Sequence, residues 1–127
     1  MKSALFGLLG AFMLMAACAT SGDVPATVSD MIYPAGSVTF RYFGQADQAV
    51  LAGDFTGWAP DDPRWRMRWN GEYFELTVEL PPGRYQYRFV IDGSWNDPRE
   101  AFATSEPVPS GIVPDGIGSW NAVLILQ

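Results

Sequence analysis

With 127 residues, a net charge of −6, no histidine and one cysteine, the chain has room for a single hydrophobic core and no internal disulfide. The acidic balance lacks the basic stripe that a nucleic-acid partner needs and argues against broad adhesion to anionic lipid. The missing histidine removes the commonest general base and transition-metal ligand. Five Trp, five Tyr and eight Phe exceed what so small a domain can bury completely, which points to an aromatic surface.

Met1-Lys2 leads into an apolar run, Ala4 to Met15, that ends in Met15-Ala16-Ala17-Cys18. A basic start, an apolar stretch short for a bilayer span and small residues at its end make a secretory signal. The segment resembles the lipobox of bacterial lipoproteins, where cleavage precedes a cysteine that carries acyl chains. The resemblance implies a signal peptide over 1–17, lipidation of Cys18 and attachment to a membrane. A plain signal peptide or an N-terminal anchor is the alternative. Residues 18–35 then form the lipidated cysteine and a tether; Ala19 to Asp30, rich in Ser, Thr, Ala, Pro and Asp, has no apolar period. In diderm bacteria an aspartate after the lipidated cysteine holds such proteins at the inner membrane. Ala19 in that place points to the outer one.

From residue 36 the pattern is short strands and sharp turns. Val38, Phe40 and Tyr42 alternate with Thr39, Arg41 and Phe43, and Ala49 to Gly53 is a second strand. Arg64 to Trp69 alternates strictly, three arginines opposing Trp65, Met67 and Trp69. That pattern predicts a strand with both tryptophans and Met67 in the core. The arginines form a solvated face paired with Glu75 and Glu79, or else a patch for an acidic partner. Asn70-Gly71 predicts a two-residue type I′ turn. Tyr73 to Leu80 and Arg84 to Ile91 alternate again, separated by Pro81-Pro82-Gly83, with Tyr85, Tyr87, Phe89 and Ile91 in phase. Asp92-Gly93 is a second tight turn, and Trp120 to Leu126 a last strand. The sum predicts one all-β domain over 36–127, an antiparallel immunoglobulin-like sandwich.

Two tryptophans, in Asp54-Phe55-Thr56-Gly57-Trp58 and in Asp92-Gly93-Ser94-Trp95, fall in or beside turns. Flat apolar rings there either close the ends of the core or form a platform for the C–H faces of sugar rings, with Arg88 and Asn121 supplying hydrogen bonds. Asp54 with Asp61-Asp62 matches no calcium cage, so these carboxylates are expected to cap turns. No carboxylate lies in an apolar run that would raise its pKa, and no nucleophile has a base beside it, so catalysis is not expected. No metal or cofactor is implied.

Taken in order, Val38-Thr39-Phe40-Arg41-Tyr42, Leu51-Ala52-Gly53-Asp54-Phe55-Thr56-Gly57-Trp58, Leu80 to Trp95, Asp97-Pro98 and Ile117-Gly118-Ser119-Trp120-Asn121 form a specific set. It resembles the early-set carbohydrate-binding modules of family 48, among them the glycogen-binding domains of AMP-activated protein kinase β subunits. The resemblance implies an early-set sandwich that binds α-1,4-glucan (glycogen, starch or maltooligosaccharide). It implies stacking by Trp58 and Trp95, hydrogen bonds from Arg88 in place of a family lysine, a protruding Ile117 in place of a leucine, and Asn121 as donor and acceptor. The stretch Pro107 to Gly116 is longer than in the family and rich in Pro and Gly. Anchored outside the inner membrane, such a domain would meet imported or external oligosaccharide. An envelope protein-interaction or structural module that keeps the fold without the sugar is the alternative.

Overall fold

The computed structural model describes residues 31–127, apart from the side chain of Ala101. The signal segment, Cys18 and most of the expected tether lie outside the described residues. The strands are β1 (Gly36–Tyr42), β2 (Ala49–Gly53), β3 (Arg68–Trp69), β4 (Phe74–Leu80), β5 (Gly83–Ile91), β6 (Ser94–Trp95), β7 (Ser105–Glu106), β8 (Gly111–Pro114) and β9 (Trp120–Leu126). A 3-10 turn spans Pro63–Trp65, and one helical turn, α1, spans Ala101–Thr104.

The strands form two antiparallel sheets. One has the order β2-β5-β9-β8, with β6 folded onto β5; the other has the order β3-β4-β1-β7. β1 and β4 pair along their whole length, from Gly36 opposite Leu80 to Tyr42 opposite Phe74. That register puts Val38, Phe40 and Tyr42 on the same face as Val78, Leu76 and Phe74, so the two-residue alternation becomes one apolar surface. β5 occupies the middle of the other sheet, with Leu51 opposite Phe89 and Ala122 opposite Tyr87. The two inner faces meet through ring contacts: Phe40 and Tyr87 at 5.3 Å, Tyr42 and Phe89 at 5.8 Å between centroids. Phe40, Leu51, Tyr87 and Leu124 are fully enclosed. The fold is the all-β sandwich that the alternation implied.

Several details differ from the sequence reading. Arg64 to Trp69 is not one strand. Pro63 opens a 3-10 turn, and the Asp62 carboxylate accepts from the Arg64 amide at 2.9 Å, so a single bridge from Arg66 to Val50 precedes the short strand that starts at Arg68. Met67 is buried and Trp65 half-buried, but Trp69 lies at the sheet edge, 50% exposed, against Phe74. Of the expected arginine pairings, Arg68 does stand opposite Glu75 across the β3–β4 pair, but Arg64 is placed elsewhere. Arg64 turns back onto Asp62 at 2.6 Å, while Glu75 faces Arg41 at 3.7 Å. The Asn70-Gly71 turn is shifted by one residue. Gly71 alone of the pair has a positive φ, and the Asn70 side chain accepts from the amides of Glu72 and Tyr73. Part of the Pro/Gly-rich stretch is the strand β8, paired with β9. The sandwich also reaches upstream of Gly36. Tyr33 bridges Leu126 in parallel, and the Ser110 hydroxyl donates to the Met31 carbonyl.

Because Phe40 joins the sheets from a fully enclosed position, Phe40→Ala is expected to cost about 3–5 kcal/mol. Urea unfolding checks this as a lower midpoint with an unchanged slope.

Candidate functional site

The β2 strand ends at Gly53, where the chain turns sharply over Asp54 to Trp58. Thr56 closes the turn: its hydroxyl accepts from the Gly53 amide at 2.8 Å and donates to the Gly53 carbonyl at 3.1 Å. The Trp58 amide reaches the same carbonyl at 3.2 Å. Gly57 and Trp58 follow in the left-handed region, with φ of 70° and 60°. A left-handed conformation costs a residue with a Cβ about 1–2 kcal/mol, so the turn spends stability to aim one indole. The Asp54 carboxylate completes the aim. One oxygen accepts from the Gln86 amide on β5 at 2.8 Å, and the other from the Trp58 indole N–H at 3.3 Å. Beneath the indole lie Val50, Ala52 and Val90, outward-facing residues that the ring helps to bury.

The second tryptophan comes from the β5–β6 hairpin. Asp92 and Gly93 have φ of 51° and 83°, both positive as a type I′ turn requires. Ile91 then faces Ser94, and Val90 faces Trp95. The Asp92 carboxylate also accepts from the amides of Asp47 and Gln48, which ties the hairpin tip to the approach to β2. This register brings the Trp95 ring within 6.3 Å of the Trp58 ring, with the planes tilted by 43°. Trp95 is 42% exposed and Trp58 half-buried.

Outward-facing residues of β5 and β9 form the floor beside the rings. Tyr87 and Phe89 point into the core, so Gln86 and Arg88 point away from it. The Gln86 side-chain oxygen accepts from the Asn121 side-chain NH2 at 3.0 Å. Arg88 lies 5.7 Å over the Trp95 ring and donates through Nε and Nη2 to the Asn96 carbonyl, at 3.2 and 3.1 Å. Its Nη1 is 3.7 Å from the Asp115 carboxylate. Across from it, the β8–β9 loop presents Ile117, 88% exposed. These residues line a groove of about 460 Å³.

Trp58, Arg88, Trp95, Ile117 and Asn121, the five candidates from the sequence, all border this groove. Arg88 stands differently from expectation, because its guanidinium is largely occupied by protein acceptors. Three bordering residues were missed: Asp54 as the partner that orients Trp58, Gln86, and Asp115. Gln86 had a signal, since it shares the outward phase of Arg88 on a strand whose inward phase was clear. Asp115 had none in a stretch read as loop. Among the described residues no three His, Cys, Asp or Glu side chains converge to hold a metal ion. Two tilted apolar rings beside amides, carboxylates and a guanidinium suit a ligand that is flat and apolar on its faces and hydroxylated at its edges.

That combination, on an antiparallel sandwich, is the build of a carbohydrate-binding domain. Residues 36–107, more than half of the chain, match the family described as the glycogen recognition site of AMP-activated protein kinase, and the chain belongs to that family. It is 37% identical over 68 residues to the 5'-AMP-activated protein kinase subunit beta-1 of Sus scrofa, covering 53% of this chain and 52% of that one. The same identity and length hold for the Rattus norvegicus subunit, where 24% of the relative is covered. Phosphoglucan phosphatase LSF1, chloroplastic, of Arabidopsis thaliana is 39% identical over 64 residues, 49% of this chain and 10% of that one. The match thus spans about half of the pig sequence and smaller fractions of the others. The family match contains Trp58, Arg88 and Trp95 and stops before Asp115, Ile117 and Asn121.

The amides of Ile117 and Ser119, and after them the Arg88 charge, hold the Asp115 carboxyl below the usual carboxylate range. A depressed folded-state pKa means that the loop order this group provides is complete above the ordinary Asp value of about 3.9 and is lost as pH falls through the lower folded value. The Ile117 and Ser119 amide resonances should therefore hold their positions at pH 5 and move only at pH below about 3.9. An NMR titration checks the midpoint.

Proposed function

We propose that this chain binds α-1,4-linked glucan without transforming it, and that a lipid on Cys18 anchors it in a bacterial envelope, at the outer membrane. The observation that carries the sugar reading is the pair of neighbouring indoles beside a groove edged with hydrogen-bonding groups. Membership of a glycogen-recognition family supports the ligand class. A chain of glucose units laid across two tilted rings offers its C–H faces to the indoles and its hydroxyls to Gln86, Asn121 and the free N–H groups of Arg88. Binding is expected to be weak, because a shallow groove buries little area and each bound hydroxyl must give up water.

The chemistry of the groove supports binding over turnover. Glycoside hydrolysis needs a carboxylic acid that keeps its proton opposite a second carboxylate. Here Asp115 is held in the ionised form by two amides and a guanidinium. Asp54 has each oxygen engaged, one by an amide and one by an indole N–H. Both carboxylates are spent on holding the site in shape.

The anchor rests on Met15-Ala16-Ala17-Cys18 and on a cysteine that has no second thiol to pair with in this chain. A domain so anchored meets oligosaccharide that is external or on its way in.

With the full chain purified in mild detergent, Trp95→Ala is expected to abolish retardation in an amylopectin-containing gel while leaving the melting curve unchanged. Equal mobility of wild type and variant, with and without glucan, overturns the sugar reading and favours an envelope docking module. In cells, Cys18→Ala is expected to stop incorporation of labelled palmitate and to release the protein from the membrane fraction. Continued labelling of the variant overturns the anchor.

A further inference from the structure

The β8–β9 loop has little to hold it in place by ordinary means. Gly116 and Gly118, on either side of Ile117, have φ of 86° and 99°, a backbone with much freedom to lose on ordering. The Ile117 side chain between them stands 88% exposed, so core packing does not fix it. Yet the loop is closed by one carboxylate. Asp115 Oδ1 accepts from the Ile117 amide at 2.8 Å and the Ser119 amide at 2.9 Å, and the Asp115 amide donates to the Ser119 carbonyl at 3.0 Å.

The other carboxylate oxygen faces away from the loop, 3.7 Å from Arg88 Nη1. Arg88 in turn holds the Asn96 carbonyl, next to Trp95 in the chain, through Nε and Nη2. Its guanidinium lies over the Trp95 ring. The two charged side chains are only 12% and 9% exposed, so water and salt screen this pair less than an ordinary surface pair. A carboxylate thus organises the Ile117 loop, and a planar guanidinium joins that loop to the hairpin carrying Trp95. Lysine has a single charged point and cannot span both partners in this way.

We propose that Asp115 and Arg88 form a brace that sets Ile117 at a fixed distance from the Trp58–Trp95 platform before ligand arrives. Asp115 is a positioning residue, and Arg88 contributes at least as much by bridging the two loops as by touching sugar. This deepens the glucan reading and rests on it. Its physical content is preorganisation: a loop already ordered pays no ordering entropy when the saccharide seats against it. Asp115 lies outside the segment that matches the glycogen-recognition family.

The test uses the full chain in mild detergent, with β-cyclodextrin and maltoheptaose as probes in calorimetry. Asp115→Asn keeps a side-chain oxygen for the two amides and replaces the charged oxygen that faces Arg88 by an uncharged NH2 group. It is expected to weaken β-cyclodextrin binding about fivefold, the scale of coupling between contacting residues. The melting temperature should stay within about 2 °C of wild type. Ile117→Ala alone is expected to weaken binding to a similar extent. The double variant should bind no worse than the poorer single one, because an undirected Ile117 has nothing left to lose. A general loss of stability would not produce that coupling. Wild-type affinity in Asp115→Asn, or losses that multiply in the double variant, overturns the proposal. If Asp115→Asn does not fold, the same cycle with Arg88→Lys and Ile117→Ala decides by the same criterion.

Amide hydrogen exchange at Ile117 and Ser119 reads the brace without sugar. It should be several-fold faster in Arg88→Lys than in wild type, and unchanged exchange overturns the proposal. Should wild type bind neither probe, the glucan reading fails by itself and the exchange measurement still decides the brace. Should wild type bind, Trp95→Ala fail to bind and Arg88→Lys exchange as wild type, the brace fails and the glucan reading stands.

Discussion

A β-strand sends neighbouring side chains to opposite faces, and in β5 that rule serves core and site at once. Tyr87 and Phe89 enter the interior, where the ring contacts to Phe40 and Tyr42 join the sheets. Gln86 and Arg88, between and beside them, face the groove. Because β5 is paired on both sides, by β2 and by β9, it has little freedom to slide. A slip of one residue would exchange the two sets, exposing two aromatic rings and burying a guanidinium. The register that makes the core therefore also decides which polar groups line the groove.

The groove is built outward from that strand by hydrogen bonds that each do a geometric task. Asp54 reads the position of β5 through the Gln86 amide and passes it to the Trp58 indole. The Asp92-Gly93 turn sets the register that carries Trp95 back beside Val90. Trp58 occupies a left-handed backbone conformation at the rim. Strain of this kind persists where surrounding contacts over-determine it. Here Thr56, the Gly53 carbonyl and the small apolar patch under the ring provide those contacts. The result is an aromatic surface that is supported from below and open above.

The outer face of the other sheet has a different character. Arg41 is shared between Glu75 and Glu106, at 3.7 and 3.3 Å, and Thr39 and Thr77 hydrogen-bond across the strands at 2.8 Å. Ion pairs this exposed contribute little to stability. Their mixed signs keep the sheet face hydrated, in contrast with the aromatic rim at the groove.

Much of this was legible in the chain itself. Period-two alternation in Val38 to Tyr42, Phe74 to Leu80 and Tyr85 to Ile91 has one folded solution, because apolar residues on one side of a strand must meet others like them. Asp92-Gly93 declared its turn because those residues tolerate positive φ. Local chemistry also marked Trp58 and Trp95 as ring-bearing turn residues. Where local signals competed, alternation misled. Pro63 and the Asp62 cap outweighed the pattern of Arg64 to Trp69, and Trp69 came to rest at an open edge.

The roles of Asp54 and Asp115 came only from the tertiary structure. Each acts on a residue brought near by strand pairing or loop closure, and such distances depend on register rather than on composition. For the same reason the bridging contacts of Arg88 are not legible in the linear chain. Its acceptors, the Asn96 carbonyl and the Asp115 carboxylate, reach it only once the hairpin and the β8–β9 loop have folded to either side. Sequence determined which surfaces had to be apolar and where the chain had to turn, since those follow from neighbours in the chain. Which polar groups face one another across the groove was decided by packing, because that depends on contacts between distant segments.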